Sequence, residues 1–484
     1  MLTLGYAMKT LLRWRWLLAG LFWLGYGLAA QASHIRGADI AYTSIASTTP
    51  NVPRYRVTLR LFRDIVGVDQ PAVTLYGRVG DCNSTDPRNF RFDNIPKAQS
   101  TRLEQVACVG SNSLFTSSFN TDVFLYNVDV DLPRGQWTLS FIGENRNSAL
   151  PAFHNIYVAA FLDNRLVTQD TSPTFLSTLL PSLQGNLAQR YSFSTYDADR
   201  DSVAYSLVSS QEALDVYTPC GTPIAGGVSP HFQLNPATGA ITIPTGGVQQ
   251  GYYLAAVRVD EYRQLAGTWQ HIGSVTRDIT YLAQNIANQP PSFTSLAVGT
   301  GPAQSPSQTI SARPGQTLSL TLTATDPDAG QHLRFSSEAT GIIPGLSLTT
   351  LSATQARLTW QVPASLPPGF YTATIAVFDD GCPNSTVEQT LYIRVTNQTL
   401  GTRPGSDAAS SAFPMPFRDQ VQFQAASSGQ QVVVVDELGR TVAQLRAGAD
   451  GRVLWQPAAS LPAGLYLARG ADGRPLARLL HAAN

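Results

Sequence analysis

Asp197, Asp199 and Asp201 alternate in the stretch YDADRDS, and Asp326-Pro327-Asp328 repeats the arrangement later in the chain. Carboxylates packed this closely repel one another unless a hard cation lies between them, and Ca²⁺ takes roughly six to eight oxygens. An acid also ends a later strand-like segment in each half, Asp260 in VRVDE and Asp379 in AVFDD. Asp197, Asp199, Asp201, Asp260, Asp326, Asp328 and Asp379 are therefore the candidate ligands of weak Ca²⁺ sites. The EF-hand loop does not fit, because Ser202 stands where its glycine belongs and Val208 where its bidentate glutamate belongs. The competing reading is a solvated turn in which each Asp bonds its own backbone.

Catalytic signatures are missing. The chain has no G-x-S-x-G elbow, no H-E-x-x-H and no Gly-rich phosphate loop, and its six histidines are scattered. The two carboxylates of a glycosidase are set by space and not by sequence. A secreted hydrolase therefore stands as the alternative function, beside a carbohydrate-binding protein using Trp137 or Trp269 as a platform. Both indoles are expected in the core. Lys+Arg and Asp+Glu each number 33, so no net charge favours a nucleic acid or an anionic membrane surface.

Residues 1–32 read as a signal peptide. Lys9, Arg13 and Arg15 precede an apolar run from Leu17 to Ala30, and Ala30-Gln31-Ala32 offers a small-residue cleavage site. The run is too short to span a bilayer, which takes about twenty residues. Export permits disulfides. Cys82 and Cys108 lie in one region and are expected to pair, closing a loop at a gain of roughly 3 kcal/mol. Cys220 and Cys382 fall in different expected domains, and each is a candidate free thiol.

The elements that position these residues read as β throughout. Charged residues make up only 14%, and the chain has 38 Gly and 31 Pro, a composition of strands and turns. YRVTLRLFRD (55–64) alternates apolar and polar with period 2. One phrase occurs four times: LPRGQW, VQQGYY, LPPGFY and LPAGLY. Each closes a turn with Gly and starts a strand with an aromatic two residues later: Trp137, Tyr253, Tyr371 and Tyr466. Such an aromatic is a corner device of β-sandwiches. The segments 191–208 and 318–336 also match as strand, Asp turn, strand, a repeat on the scale of one sandwich module. The expected fold is all-β, several tandem β-sandwich domains of immunoglobulin-like or cadherin-like type in an elongated array. The expected divisions are 33–182, 183–286, 287–397, a linker at 398–412, and 413–484.

Two resemblances add to this reading. The acids of each repeat resemble a cadherin-like arrangement, a D-x-D loop with a further acid at a late strand end. FPMPFRDQVQF (413–423), VVVVDELGRTV (432–442), LW (454–455) and LPAGLYLAR (461–469) resemble the type A sorting domain of type IX secretion substrates. Phe413, Pro414, Pro416, Phe417, Gly439, Gly464 and Tyr466 carry the match. Phe413 replaces the usual Tyr, and Met415 the usual Asn. HIRGADIAY (34–42), YRVTLRLFRD, SPTFLS (172–177), YDADRDSVAYSL (196–207), VRVDEYR, IGSVTRDI and DDGCPN (379–384) resemble large surface proteins of Gram-negative bacteria that use this system, some linked to gliding motility. The sorting resemblance implies translocation across the outer membrane, removal of the domain, and attachment to surface glycolipid or release. With catalytic signatures missing, the expected protein is an exported, non-catalytic cell-surface one for adhesion, structure or gliding. Its partners would be the type IX machinery and an unknown extracellular protein or polysaccharide. It would meet the membrane only through attachment after translocation.

Overall fold

The computed structural model describes residues 35–103, 121–146, 155–180, 183–213, 220–224, 230–397 and 412–482, apart from 66, 186, 286, 426, 437–438, 459, 472 and 474. The expected signal peptide, Cys108 and nearly all of the linker lie outside them. The described residues are strands and turns with one short 3₁₀ turn at Glu338–Gly341 and no α-helix. No helix among them is long and apolar enough to cross a membrane. The chain divides into two compact units, 1–397 and 398–484.

In the first unit the strands are β1 (Ile35–Ile45), β2 (Arg54–Asp64), β3 (Ala72–Val79), β4 (Phe90–Leu103), β5 (Thr121–Asp131), β6 (Gln136–Gly143), β7 (Asn155–Asp163), β8 (Ser202–Val208), β9 (Gly251–Leu265) and β10 (Thr268–Gln284), with shorter pieces between. Starting from β10, the hydrogen-bonded path runs through β1, β2, β5, β4, β3, β6 and β7 and returns to β10. Every pairing on this path is antiparallel, and β9 and β8 extend it from the other edge of β10. Closure removes free strand edges. On β2, Tyr55, Val57, Leu59 and Leu61 point inward while Arg56 and Thr58 point out, as the alternation predicts.

The ring changes one expected boundary. Residues 33–182 and 183–286 do not form separately cored domains: β1 pairs with β10, Ala38 opposite Asp278, and one buried cluster runs from Ile35 to Ala283. A strand edge is filled by whichever segment matches its register, however distant in sequence. Buried ion pairs hold the unit together, and Arg277–Asp39 and Arg146–Asp278 cross the expected boundary. Arg36 meets Asp64 at 3.0 Å, Arg277 meets Asp39 at 2.7 Å, Arg63 meets Asp122 at 3.0 Å, and Arg146 is bound by both oxygens of Asp278.

The cysteine pairing also differs from expectation. Cys82 is bonded to Cys220, and Cys382 is disulfide-bonded too, so neither Cys220 nor Cys382 is a free thiol. The strand Gln211–Ala213 pairs with β7, and the short strand Thr222–Pro223 pairs with it in turn, bringing Cys220 to the turn after β3. Nearness in space has overruled nearness in sequence.

Residues 292–395 form a sandwich of a five-stranded and a four-stranded sheet around Leu320, Leu358, Trp360, Ile375 and Leu391. It meets the first core through buried polar contacts, Ser192 to Thr390 and Thr372 to the Thr195 carbonyl among them. The second unit is a smaller set of two and four strands around Phe417, Val434, Trp455 and Tyr466.

The repeated phrase now has a common bond. Trp137 Nε1 donates to the Pro133 carbonyl (2.8 Å), and the hydroxyls of Tyr253, Tyr371 and Tyr466 donate to the carbonyls of Gln249 (3.1 Å), Pro367 (2.9 Å) and Pro462 (2.7 Å). Each spans four residues and ties the strand entry to the turn before it. Tyr466→Phe keeps the ring and loses the hydroxyl bond. The expected result is a loss of about 1 kcal/mol in the C-terminal unit, read from its denaturation midpoint. An unchanged midpoint would show that the hydroxyl does not hold the corner.

Candidate functional site

The long hairpin β9–β10 carries acids on its inner side. Period-2 alternation sends Val257, Val259, Glu261 and Arg263 to one face of β9 and Arg258, Asp260 and Tyr262 to the other. A bulge follows Glu261: it pairs with Gly273, whereas Tyr262 pairs with His271. Gly273 is needed there. A Cβ on it would overlap the Tyr42 hydroxyl and stand 2.8 Å from Glu261 Oε2.

Two loops bring further carboxylates to this face. In the turn before β8, Asp197 Oδ1 accepts the Asp201 N–H at 2.8 Å, which folds the chain back on itself. The Asp201 carboxylate takes Arg263 Nε at 2.7 Å, and Asp170 takes Arg263 Nη2 at 2.8 Å. Asp170 also accepts the Tyr42 hydroxyl at 3.3 Å. Asp199 sits at the rim and accepts the Thr171 N–H at 2.6 Å.

One oxygen each from Asp170, Asp201 and Glu261 lies within 4.8 Å of the others. Glu261 is 0% exposed, yet no N–H or hydroxyl reaches either of its oxygens or Asp197 Oδ2, and the two carboxyls meet each other. Five carboxylates thus share one guanidinium. Burial, partly offset by Arg263 and reinforced by Asp201 and Asp197, pushes Asp170 up to about 7. Burial pushes Asp197 to about 6 against the help of the Asp201 N–H. Burial and then repulsion from Asp170 and Asp197 raise Glu261 well above the ordinary range. The arrangement holds surplus negative charge in a dry place, which only protons or a cation relieve.

The structure brings Asp197, Asp199 and Asp201 together but does not add Asp260. That residue faces outward, accepting Arg258 Nε at 3.0 Å and contacting His271 Nε2 at 3.1 Å. Strand parity puts its neighbour Glu261 in the cluster instead. Asp170 had no signal beyond lying just before SPTFLS, with no second acid near it.

The later acids are answered by amides. Asp328 accepts the Gln289 N–H at 2.7 Å. Asp379 accepts Asn288 Nδ2 at 3.0 Å and the N–H groups of Gly381 and Ser385 at 2.9 Å. Asp326 accepts the Asp328 N–H and keeps one unpartnered oxygen. Asn288 and Gln289 thus supply donors to Asp379 and Asp328, while burial and then the charge of the nearby Asp379 and Asp328 raise Asp326.

Of the sorting-motif residues, Phe417 is fully buried against Trp455 and His481, and Tyr466 packs on Trp455. Gly439 turns at φ 77°. Phe413 is exposed, although its backbone pairs with Gln422 in both directions. Pro414 and Pro416 lie between the two phenylalanines, and Gly464 opens the strand that carries Tyr466.

No protein-family model matches the chain, and no curated protein does. Among solved structures, the chain is similar to human protocadherin-24 EC1-2 at 15% identity, over 48% of this chain and 100% of that one, with a TM-score of 0.17. It is similar to the human desmocollin-1 ectodomain at 11% identity over 75% and 73%, with a TM-score of 0.18. It is also similar to a Bacteroides ovatus mixed-linkage glucan utilisation protein, SGBP-B, in complex with a mixed-linkage heptasaccharide, at 12% identity over 65% and 72%, with a TM-score of 0.14. Likeness of this degree bears on neither ligand nor activity here.

Proposed function

We propose that this chain is an exported, non-catalytic cell-surface protein whose β-domains serve adhesion, structure or gliding, delivered across the outer membrane by its last unit acting as a type IX sorting domain. The carrying observation is the covalent cross-link between Cys82 and Cys220, with Cys382 bonded as well. Bonds of this kind persist in oxidising compartments outside the cytosol.

The acid cluster supports a binding role over a hydrolytic one. Glu261 has no exposed surface, so no glycosidic oxygen reaches it. An open recess of about 850 Å³ beside the cluster is lined by polar groups, with Asp199 the one carboxylate among its described lining residues. Ca²⁺ held by Glu261 and Asp197, with Asp170 and Asp201 beside them, would engage the Glu261 and Asp197 oxygens that lack partners and supply the missing positive charge.

The C-terminal unit favours the address reading by its surface. Leu465 and Leu480 pair across two strands, both 40% exposed or more, and the Leu480 N–H meets Met415 Sδ. An apolar surface beside the motif is what a receptor would grip. The test is a tagged full-length chain expressed in a bacterium that has this secretion system, with and without residues 413–484. Protease-accessible surface display is expected only for the intact chain. Display that survives the deletion would remove the sorting reading.

A further inference from the structure

The outer side of the β9–β10 hairpin is a separate surface from the acid cluster. Residues directly opposite each other across two strands share a side. Asp260 faces Ser274, Tyr262 faces His271, and Gln264 faces Trp269. One side of the ribbon thus carries three rings and several polar groups in sequence. Trp269 is 61% exposed, against the expectation that it belongs to the core, whereas Trp137 is buried at 1%.

The rings are held in place. His271 stacks flat on Phe161, with centroids 5.6 Å apart and planes 9° apart, and its edge meets Tyr262 at 5.3 Å. Asp260 fixes the imidazole from below at 3.1 Å and is itself bonded by Arg258. The neighbouring strand β8 sets only Ser202, Ala204 and Ser206 opposite Tyr262, Asp260 and Arg258. These side chains are too small to shade the rings. A recess of about 490 Å³ opens among Phe161, Asp260, Tyr262, His271 and Ser274.

Flat π surfaces alternating with fixed hydrogen-bonding groups match one ligand chemistry closely. A pyranose ring has a face of C–H bonds, which packs on an indole, and a rim of hydroxyls, which needs donors and acceptors beside it. The Trp269-to-Ser274 row is roughly 16 Å long at strand spacing, room for several linked sugars. Arg258 is already neutralised by Asp260, so nothing on this face calls for an acidic glycan or a nucleic acid.

We infer that this face binds a neutral, extended polysaccharide, with a sugar ring stacked on Trp269 and hydroxyls of its neighbours bonded by Asp260, His271 and Gln264. This gives the adhesive reading a ligand but stands on the hairpin face alone. Binding is measured on purified protein, so its failure leaves the localisation result untouched, and the reverse holds as well.

The test is native electrophoresis of the full chain through gels containing hydroxyethylcellulose, mixed-linkage β-glucan, xylan or galactomannan, with alginate as the charged comparison. At least one neutral polymer should retard the parent. Trp269→Ala should weaken that retardation about tenfold or more, on the hot-spot scale of a stacked aromatic, and Trp269→Tyr should restore part of it. Both variants should melt at the parent's temperature, because the indole is exposed. Retardation by none of the four neutral polymers overturns the inference, as does equal retardation of the parent and Trp269→Ala. Trp269-dependent self-association in sedimentation, without retardation in any gel, also overturns it and assigns the face to a second copy.

Discussion

Replacing Cys82 and Cys220 together by serine is expected to remove on the order of 5 kcal/mol of folding stability. The bond closes a sequence separation of 138 residues, and in the chain-entropy account a loop of that length restricts the unfolded chain by about that much. The location strengthens the expectation. Cys220 belongs to an outlying strand pair that hangs on β7, and the bond fastens that pair to the turn after β3. A domain's whole margin is about 5–15 kcal/mol, so the variant should unfold at a far lower denaturant concentration and accumulate poorly in an exported form. The double replacement is the right comparison, since a single one leaves a thiol free to form a wrong bond. Peptide mapping without reductant should first recover Cys82 linked to Cys220. A variant with the parent's midpoint would show that strand pairing alone closes this loop.

What could be read from the sequence was local. Each Gly-x-aromatic phrase names a bond between residues four apart, so the corner at Tyr371 or Tyr466 needs no knowledge of the rest of the chain. The alternation of Tyr55, Val57, Leu59 and Leu61 likewise depends only on strand geometry. The Asp197–Asp201 turn is local too, and was found. Glu261 was missed by one position because it, and not Asp260, shares the inward parity of Val257 and Val259, and the glycine opposite it leaves room for its carboxylate. Period 2 fixes that two neighbours face opposite ways, not which of them faces in. Asp170 was missed because it joins the cluster through a loop with no repeat or pair to mark it.

The fusion of the first two expected domains had the same cause on a larger scale. Ala38 pairs with Asp278 across most of the unit, and no local pattern encodes a partner that far away. Yet the short blocks that carry the surface-protein resemblance are where these contacts are made. HIRGADIAY supplies Arg36 and Asp39, YRVTLRLFRD supplies Arg63 and Asp64, and IGSVTRDI supplies Arg277 and Asp278. They are buried, each paired with an opposite charge from another segment of the unit, and a buried charge without its partner costs about 3–5 kcal/mol. Such pairs make one closure of the ring far better than its alternatives.

The acid cluster should make stability depend on calcium and on pH in opposite directions. Without metal, the folded protein holds protons on Asp170, Asp197 and Glu261, whose carboxyls are raised by burial and by each other. The unfolded chain releases the same protons near pH 4. Between that pH and about 7 the folded state binds more protons, so stability falls as pH rises. Asp170 alone, moved from 3.8 to about 7, corresponds to on the order of 4 kcal/mol. The groups facing these carboxyls are Tyr42 from β1, Asp199 and Asp201 from the turn, and Arg263 from β9. Arg263 is the one cation among them, and it is already shared by Asp170 and Asp201. Ca²⁺ reverses the slope, since it binds the ionised carboxylates that high pH produces. At a hundredfold excess over its Kd, calcium contributes about 2.7 kcal/mol. In chelator the melting temperature should therefore drop between pH 5 and pH 8, and in millimolar calcium it should hold, with the two curves meeting at low pH where protons compete. Glu261→Gln separates charge from fold: it removes the buried carboxyl that must take up a proton on folding, so it should raise the melting temperature in chelator at pH 8 while abolishing the response to calcium. Equal melting of the parent in chelator and in calcium at pH 8 would leave the cluster a set of shared protons held by Arg263, with no metal in it.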